Sequence, residues 1–190
     1  SPGIIWAGGY TSGIYQINKK QMKVEFFTPS TFGDCDIRPD KYIRSIIKTS
    51  DGSIWSGGYY NLKQIDFNRK NIRAYPGLSG ITDIKEKDAQ HMWIGTAMDK
   101  ETGKYQCISM PIESFYINAL YQTPDSLLYI GTSNSGLLIY NHQRKSFEHF
   151  HKDNCPLISN NIYTILPDGN KSVLLSTENS LTSYYPAGKI

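Results

Sequence analysis

Hydrophobic residues along the chain fall in short runs that repeat in one register. A bulky residue lies at the centre of five runs, and a small residue follows it two places later. The bulky anchors are Trp6, Trp55, Trp93, Tyr129 and Leu174, and the small residues are Gly8, Gly57, Gly95, Gly131 and Ser176. Such short runs, separated by turn residues such as Asp51-Gly52, predict β-strands. Because no segment keeps apolar residues at helical spacing, helical repeats are not expected.

The register extends upstream of the anchors. An isoleucine lies twelve residues before four of the anchors, and another aliphatic residue follows three places after it. Successive anchors are 36 to 49 residues apart, which suits the four strands of a β-propeller blade. In such a blade, the small residue would let neighbouring backbones approach closely. The isoleucines are Ile43, Ile81, Ile117 and Ile162, and the second aliphatic residues are Ile46, Ile84, Leu120 and Ile165.

The pattern therefore predicts an all-β fold, a β-propeller of four-stranded antiparallel blades. We expect residues 1–190 to form a single partial propeller domain, with the first copy starting at its second strand and the last stopping at its third. Two such ends would not complete one blade, so we expect a piece of a larger ring, unless the segment pairs with a second chain; seven blades are expected for the complete ring. The expected repeats cover approximately residues 4–30, 43–76, 81–116, 117–151 and 158–190.

The third repeat departs from the common spacing. Residues Met98 to Thr102 are expected to lengthen the loop after its second strand and to delay the next strand to Tyr105–Met110. The outer strand of that blade would then be missing, or Ile112–Phe115 would serve as a short one.

Several segments resemble two-component regulator propeller repeats. The resemblance is carried by Leu157–Asn170 with the VLLST run after it, by IRSIIKTSDGSIWSGG from Ile43, and by LLYIGTSNSGLLIYN from Leu127. It implies the extracytoplasmic, periplasmic sensor region of a hybrid two-component histidine kinase anchored in the inner membrane. It also implies a homodimer formed through the parent protein, and a ligand-sensing role in which oligosaccharides control polysaccharide-utilisation genes. This segment itself is not expected to be an enzyme.

Composition and charge restrict the partners and the chemistry that this chain is expected to have. The formal net charge is +3 and the basic residues are dispersed, so nucleic acid is not an expected partner. No apolar run is long enough to cross a bilayer, and no membrane contact by this segment is expected. Cys35, Cys107 and Cys155 lack metal-ligand spacing. They read as half-buried small residues, with a Cys35–Cys155 bridge as the less favoured alternative. No cofactor is expected.

Catalytic and metal chemistry find little support. His149 and His151 share one face of a strand, but no third ligand has suitable spacing. We therefore expect a solvated outer edge strand there and no metal. Loop carboxylates could supply an acid–base pair if two of them converged, although solvated loop charges are the favoured interpretation. These carboxylates are Asp34, Asp36, Asp40, Asp99, Glu101 and Asp153.

A binding face is easier to place. In a propeller, loops from the second to the third strand open on the same face as the connections between blades. Exposed aromatic rings beside amides and carboxylates suit sugar recognition. For the tyrosines, packing between blades is the alternative. The candidate ligand-binding residues are Tyr59, Tyr60, Asn61, Arg38, Asp40, Asp99 and Asn134, and Tyr10, Thr11, Lys100, Asn179 and the linker Thr31–Lys41 share the expected face.

Three functions remain open at this point. The first is a sensor domain that binds oligosaccharide. The second is a propeller enzyme, a lyase or glycosidase acting on polysaccharide. The third is a scaffold that binds only proteins.

Overall fold

A computed structural model describes most of the chain. The described residues are 3–9, 13–27, 42–59, 62–66, 71–75, 78, 80–94, 97–99, 105–106, 108–112, 116–169 and 172–185. Within these ranges there are eighteen strands and no helix. Consequently, no helix in the described part of the chain could cross a membrane.

The strands form antiparallel sheets in which strands adjacent in sequence pair with each other. The expected all-β class with antiparallel four-stranded sheets is confirmed. Sheet 1 contains β1 (Ile4–Gly9), β2 (Gly13–Asn18) and β3 (Lys23–Phe27); sheet 2 contains β4 (Ile43–Lys48), β5 (Ile54–Gly58), β6 (Leu62–Asp66) and β7 (Asn71–Tyr75); sheet 3 contains β8 (Lys85–Glu86), β9 (His91–Trp93), β10 (Ala97–Asp99) and β11 (Tyr105–Gln106); sheet 4 contains β12 (Ile117–Gln122), β13 (Leu127–Thr132), β14 (Leu137–Asn141) and β15 (Ser146–Phe150); sheet 5 contains β16 (Thr164–Pro167), β17 (Val173–Ser176) and β18 (Leu181–Tyr184).

The chain divides into two compact units. Sheets 1 to 3 belong to the unit Ser1–Gln106, and sheets 4 and 5 belong to the unit Cys107–Ile190. The repeat boundaries given above stay predictions.

Sheet 3 corrects the expectation for the third repeat. Its third strand is β10, which pairs with β9 through Ala97 and Trp93, so the strand is not delayed to Tyr105. The outer strand is present as β11, and Ile112 lies outside any strand. These strands are only two or three residues long, too short for an alternating pattern to reveal them.

Three of the five anchor residues, Trp55, Trp93 and Tyr129, are buried in the cores. Trp55 is fully buried and its ring stacks on Tyr75 of the outer strand, with centroids 5.3 Å apart. In the second unit, Tyr129 is fully buried and meets Tyr184 edge to face at 6.2 Å. Aromatic pairs in these geometries add to the free energy gained from burying their apolar area.

Consecutive sheets meet where a glycine faces an isoleucine. A Cβ placed on Gly57 would lie 2.5 Å from Cγ2 of Ile81, and one on Gly131 would lie 2.7 Å from Cγ2 of Ile162. Any side chain would therefore overlap the isoleucine of the next sheet. We call this contact the Gly–Ile junction; it recurs a third time between Gly8 and Ile43, at 2.4 Å.

Backbone hydrogen bonds reinforce two of these junctions. The amide of Ile81 donates to the Gly58 carbonyl at 2.9 Å, and the amide of Ile162 donates to the Thr132 carbonyl at 2.9 Å. The start of one repeat is thus fixed against the end of the second strand of the repeat before it.

Candidate functional site

In sheets 2 and 4, the second strand ends beside the residue that precedes the first strand. We call this side of a sheet the loop edge. In sheet 2 the Tyr59 amide donates to the Tyr42 carbonyl at 3.2 Å, and in sheet 4 the Ser133 amide donates to the Tyr116 carbonyl at 2.8 Å. Two side chains are therefore presented together at the loop edges of these two sheets.

The first unit carries an aromatic pair at the loop edge of sheet 2. Tyr59 is 60% exposed, and its ring meets that of Tyr42 edge to face with centroids 6.1 Å apart. Tyr59 is therefore available to solvent and is not enclosed between sheets. An exposed aromatic ring can stack on the apolar face of a sugar.

The second unit carries a cleft at its loop edge. The cleft has a volume of about 350 Å³. Its lining is polar apart from one isoleucine, and we call it the Glu178 cleft. The lining residues are Asn134, Lys152, Ile158, Ser159, Asn160, Asn161 and Glu178.

A hydrogen-bonded chain of side chains orders one wall of the Glu178 cleft. Ser159 Oγ donates to Glu178 Oε2 at 2.7 Å, and Asn161 Nδ2 donates to Glu178 Oε1. Asn161 Oδ1 in turn accepts the backbone amide of Asn134 at 2.9 Å. The hydrogen bonds from Ser159 and Asn161 hold the pKa of the Glu178 carboxyl below its usual value. The wall therefore presents a carboxylate in a fixed orientation.

The loop from β13 to β14 contributes Asn134 to the lining of the Glu178 cleft. Asn134 adopts a left-handed backbone conformation with φ 69°, which asparagine tolerates better than most residues. The amide of Gly136 donates to the Asn160 carbonyl at 2.7 Å. His149 Nε2 lies 2.6 Å from the Ser135 carbonyl oxygen. Since a carbonyl only accepts, this nitrogen carries the proton, and His149 holds the loop in place.

This geometry corrects the expectation for the two histidines. They lie on or just after the outer strand β15 with ring centroids 4.9 Å apart, but His149 is half-buried and hydrogen-bonded, not solvated. His151 Nδ1 lies 3.4 Å from the Asp153 carboxylate. Among the described residues, no group of three potential ligands is placed to hold a metal ion.

Asp99 was expected at the loop edge, and this placement is wrong. It is the last residue of β10 and pairs with His91, the first residue of β9. It therefore lies at the opposite edge of sheet 3, beside the turn from the first to the second strand. The pattern misplaced it because β10 is only three residues long.

The other predicted residues divide into two groups. Tyr59 and Asn134 lie at loop edges as expected, in different units, and Asn179 is exposed. The remaining candidates lie outside the described residues: Tyr60, Asn61, Arg38, Asp40, Tyr10, Thr11, Lys100 and the linker Thr31–Lys41.

Of the three cysteines, the structure describes Cys155. Cys155 is half-buried with a free thiol whose sulfur lies 3.3 Å from the His151 carbonyl oxygen. Cys35 and Cys107 lie outside the described residues.

Sequence reasoning missed Glu178 and its partners, although the register contained a signal. Glu178 lies four residues after its anchor, as Tyr59 and Ser133 do after theirs. Asn161 immediately precedes its isoleucine, as Tyr42 and Tyr116 precede theirs. Reading both positions across the repeats would have placed Asn161 beside Glu178.

Comparisons with known proteins place this fold among β-propellers. No family model matches the chain, and no curated protein matches it. The chain is similar to the extracellular domain of BT4673, a proposed hybrid two-component system of B. thetaiotaomicron, with TM-score 0.80 and 21% identity over 96% of this chain and 26% of that one. It is also similar to the corresponding domain of BT3049 from the same organism, with TM-score 0.77 and 19% identity over 93% of this chain and 24% of that one.

A further similarity is to an enzyme. A catalytically inactive histidine variant of virginiamycin B lyase from Staphylococcus aureus matches with TM-score 0.73 and 15% identity, over 97% of this chain and 67% of that one. The chain spans about a quarter of the length of the two extracellular domains. At the level of the fold, these similarities confirm the β-propeller prediction and agree with the resemblance seen in the sequence.

Proposed function

We propose that this chain is a ligand-sensing, extracytoplasmic propeller segment of a hybrid two-component sensor. Its ligand is an oligosaccharide, and its role is to control genes for polysaccharide utilisation. The single observation that carries the proposal is the similarity, over 96% of the chain, to the extracellular domain of such a system.

The chemistry of the loop edges supports a saccharide ligand. Tyr59 offers an exposed ring beside Tyr42 in the first unit. The second unit offers Asn134, Asn161 and Glu178 around one cleft. Rings that stack and amides that both donate and accept are the groups that bind sugars with directional hydrogen bonds.

The proposal includes a location and an assembly. The segment lies in the periplasm, in a parent protein anchored in the inner membrane and dimeric through other parts of that protein. A ligand would signal by binding one of two dimer arrangements more tightly than the other.

Two measurements test the proposal. The reading frame that encodes this chain should also encode a membrane-spanning helix and a histidine kinase. Calorimetric titration of the full-length protein with a panel of oligosaccharides should show saturable binding. A frame without a kinase, or silence across the panel, contradicts the sensor function.

A propeller enzyme is the second candidate, because the fold also resembles virginiamycin B lyase. On this alternative the protein would cleave a polysaccharide by using loop side chains as acid and base. Incubation of purified protein with polysaccharides, followed by chromatography of the products, separates the two candidates. Shortened chains would favour the enzyme, whereas intact polysaccharide together with oligosaccharide binding favours the sensor.

A further inference from the structure

Some hydrogen-bonding groups of the Glu178 cleft are paired with other protein groups, and others have no partner among the described residues. The Glu178 carboxylate accepts hydrogen bonds from Ser159, from Asn161 and from its own backbone amide. The two oxygens of a carboxylate together offer about four acceptor positions, so a position remains for a ligand hydroxyl. Because both oxygens are already oriented, a ligand would bind them without the entropic cost of ordering the side chain.

Hydrogen-bond donors line the same cleft as this carboxylate. The side-chain amides of Asn134 and Asn160 Nδ2 have no hydrogen-bond partner among the described residues, while Asn160 Oδ1 is occupied by the Lys152 amide at 2.8 Å. Free amide donors beside an oriented carboxylate suit a ligand whose hydroxyl groups both donate and accept.

The charges of the cleft balance. Glu178 supplies one negative side chain and Lys152 one positive side chain, and the other lining residues are uncharged. An anionic ligand would therefore meet a fixed carboxylate without an excess of positive charge to compensate for it.

The size of the Glu178 cleft and its apolar surface also restrict which ligands fit. The volume of about 350 Å³ lies at the small end of ligand pockets. Ile158 is 69% exposed and supplies the one apolar side chain of the lining. It can contact the C–H face of a sugar ring while the polar residues engage its hydroxyl groups.

We infer that the Glu178 cleft binds a neutral saccharide unit through adjacent hydroxyl groups, with the Glu178 carboxylate as acceptor and the Asn134 amide as an opposing contact. This inference rests on the proposed saccharide ligand and names its site and charge class. The residues that carry it lie within one compact unit, so it does not depend on how the two units are arranged.

Calorimetry with matched variants of the full-length protein tests the site. The probes are short neutral xylo-, cello- and manno-oligosaccharides, with oligogalacturonides as the anionic comparison. Glu178→Gln should weaken binding of the neutral ligand about tenfold, because a neutral amide replaces the charged acceptor and one acceptor oxygen becomes a donor. Asn134→Gly should weaken it severalfold, and this variant keeps both the left-handed backbone and the amide that donates to Asn161.

Asp125→Asn is the control. It removes an exposed carboxylate from the turn between β12 and β13, at the edge of sheet 4 that lies opposite Asn134. Thermal unfolding of each variant checks that the fold is retained. Unchanged affinity in both cleft variants overturns the site and leaves the sensor proposal standing. Tighter binding of the oligogalacturonides than of the neutral oligosaccharides overturns the assignment of a neutral ligand. If no oligosaccharide of either class binds, the proposed function fails together with the inference.

Discussion

Two buried hydroxyl groups on strand β13 differ in their hydrogen bonding. Tyr129 is fully buried, and its hydroxyl has no hydrogen-bond partner among the described residues. Burial raises the pKa of Tyr129 to about 12, with a smaller contribution from the carboxylates of Asp125 and Glu148. Thr132 is also fully buried, but its hydroxyl donates to the Gly136 carbonyl at 2.7 Å. The two hydroxyls should therefore contribute oppositely to stability.

Removing each hydroxyl tests this difference. Tyr129→Phe should leave the free energy of unfolding unchanged or raise it, because a desolvated group without a partner is removed. Thr132→Val should lower it by about 1 kcal/mol, because a satisfied buried hydrogen bond is lost. Urea denaturation of the two variants gives the comparison. An equal loss in both would mean that the Tyr129 hydroxyl has a partner in solution, such as a buried water.

The Glu178 carboxyl provides a second prediction at the scale of single residues. Its pKa in the folded protein lies below the ordinary 4.5 because Ser159 and Asn161 donate to the ionised form. Its contribution to folding stability is then fully present above pH 4.5 and is lost as the pH falls through the depressed pKa. An NMR titration should find this lowered value. Ser159→Ala should move the pKa back toward 4.5, whereas Ser146→Ala, at an exposed serine of β15, should not.

Individual residues were predictable from the sequence where the repeat imposed them. Trp55, Trp93 and Tyr129 are buried as their position in the register suggests. Glu178 was not selected, because its role depends on Asn161, seventeen residues earlier, and on a hydrogen bond that composition does not encode.

At the scale of elements, the Gly–Ile junction joins each sheet to the next within a unit. The glycine contributes close approach, and the isoleucine fills the space that a side chain on the glycine would need. Interiors packed at this density tolerate added volume poorly.

Gly131→Ala should destabilise the second unit by about 1–3 kcal/mol through overpacking against Ile162. Gly169→Ala is the control, since a Cβ there meets nothing within 4 Å and only the strain of φ +65° is added. In an Ile162→Ala background the loss from Gly131→Ala should shrink, while the loss from Gly169→Ala should persist. Chemical denaturation of the double-mutant cycle measures the coupling. Equal losses from Gly131→Ala in both backgrounds would contradict the junction.

Strand prediction succeeded where strands are long and failed where they are short. Strands β12 and β13 have six residues each and follow the repeat register closely. In sheet 3, β10 and β11 have three and two residues, and neither contains enough apolar positions to show a period. Backbone pairing with β9 fixes β10 in place, and that pairing is a tertiary effect.

At the scale of the whole molecule, the fold follows from the repeat and is retained at low identity. Only 21% of residues are shared with BT4673 over the matched region. Within this chain, most repeats share a bulky anchor, a small residue two places after it and an isoleucine at the start of the next repeat. The repeat does not determine the ligand, because the residues at the loop edge differ between copies. Sheet 2 has Tyr42 and Tyr59 at these positions, whereas sheet 5 has Asn161 and Glu178.

Repeat proteins are stabilised by local units and nearest-neighbour contacts, which gives a prediction for the complete chain. Gly57→Ala and Gly131→Ala perturb junctions that share no partner: Gly57 faces Ile81 and Ile84, and Gly131 faces Ile162. Their effects on the free energy of unfolding should add within about 0.5 kcal/mol. Denaturation of the two single variants and the double variant provides the measurement. A marked departure from additivity would show that the junctions are coupled.

The Gly–Ile junction also has a consequence for synthesis on the ribosome. Each isoleucine follows its glycine by only 24 to 35 residues, as in the pairs Gly57–Ile81 and Gly8–Ile43. At a translation rate of about 5–20 residues per second, the partner emerges within roughly seven seconds. Within a unit, each new sheet can therefore dock on the preceding one soon after it is synthesised. Lengthening such a protein by further repeats adds contacts of the same short range, so nascent-chain folding need not slow as the array grows.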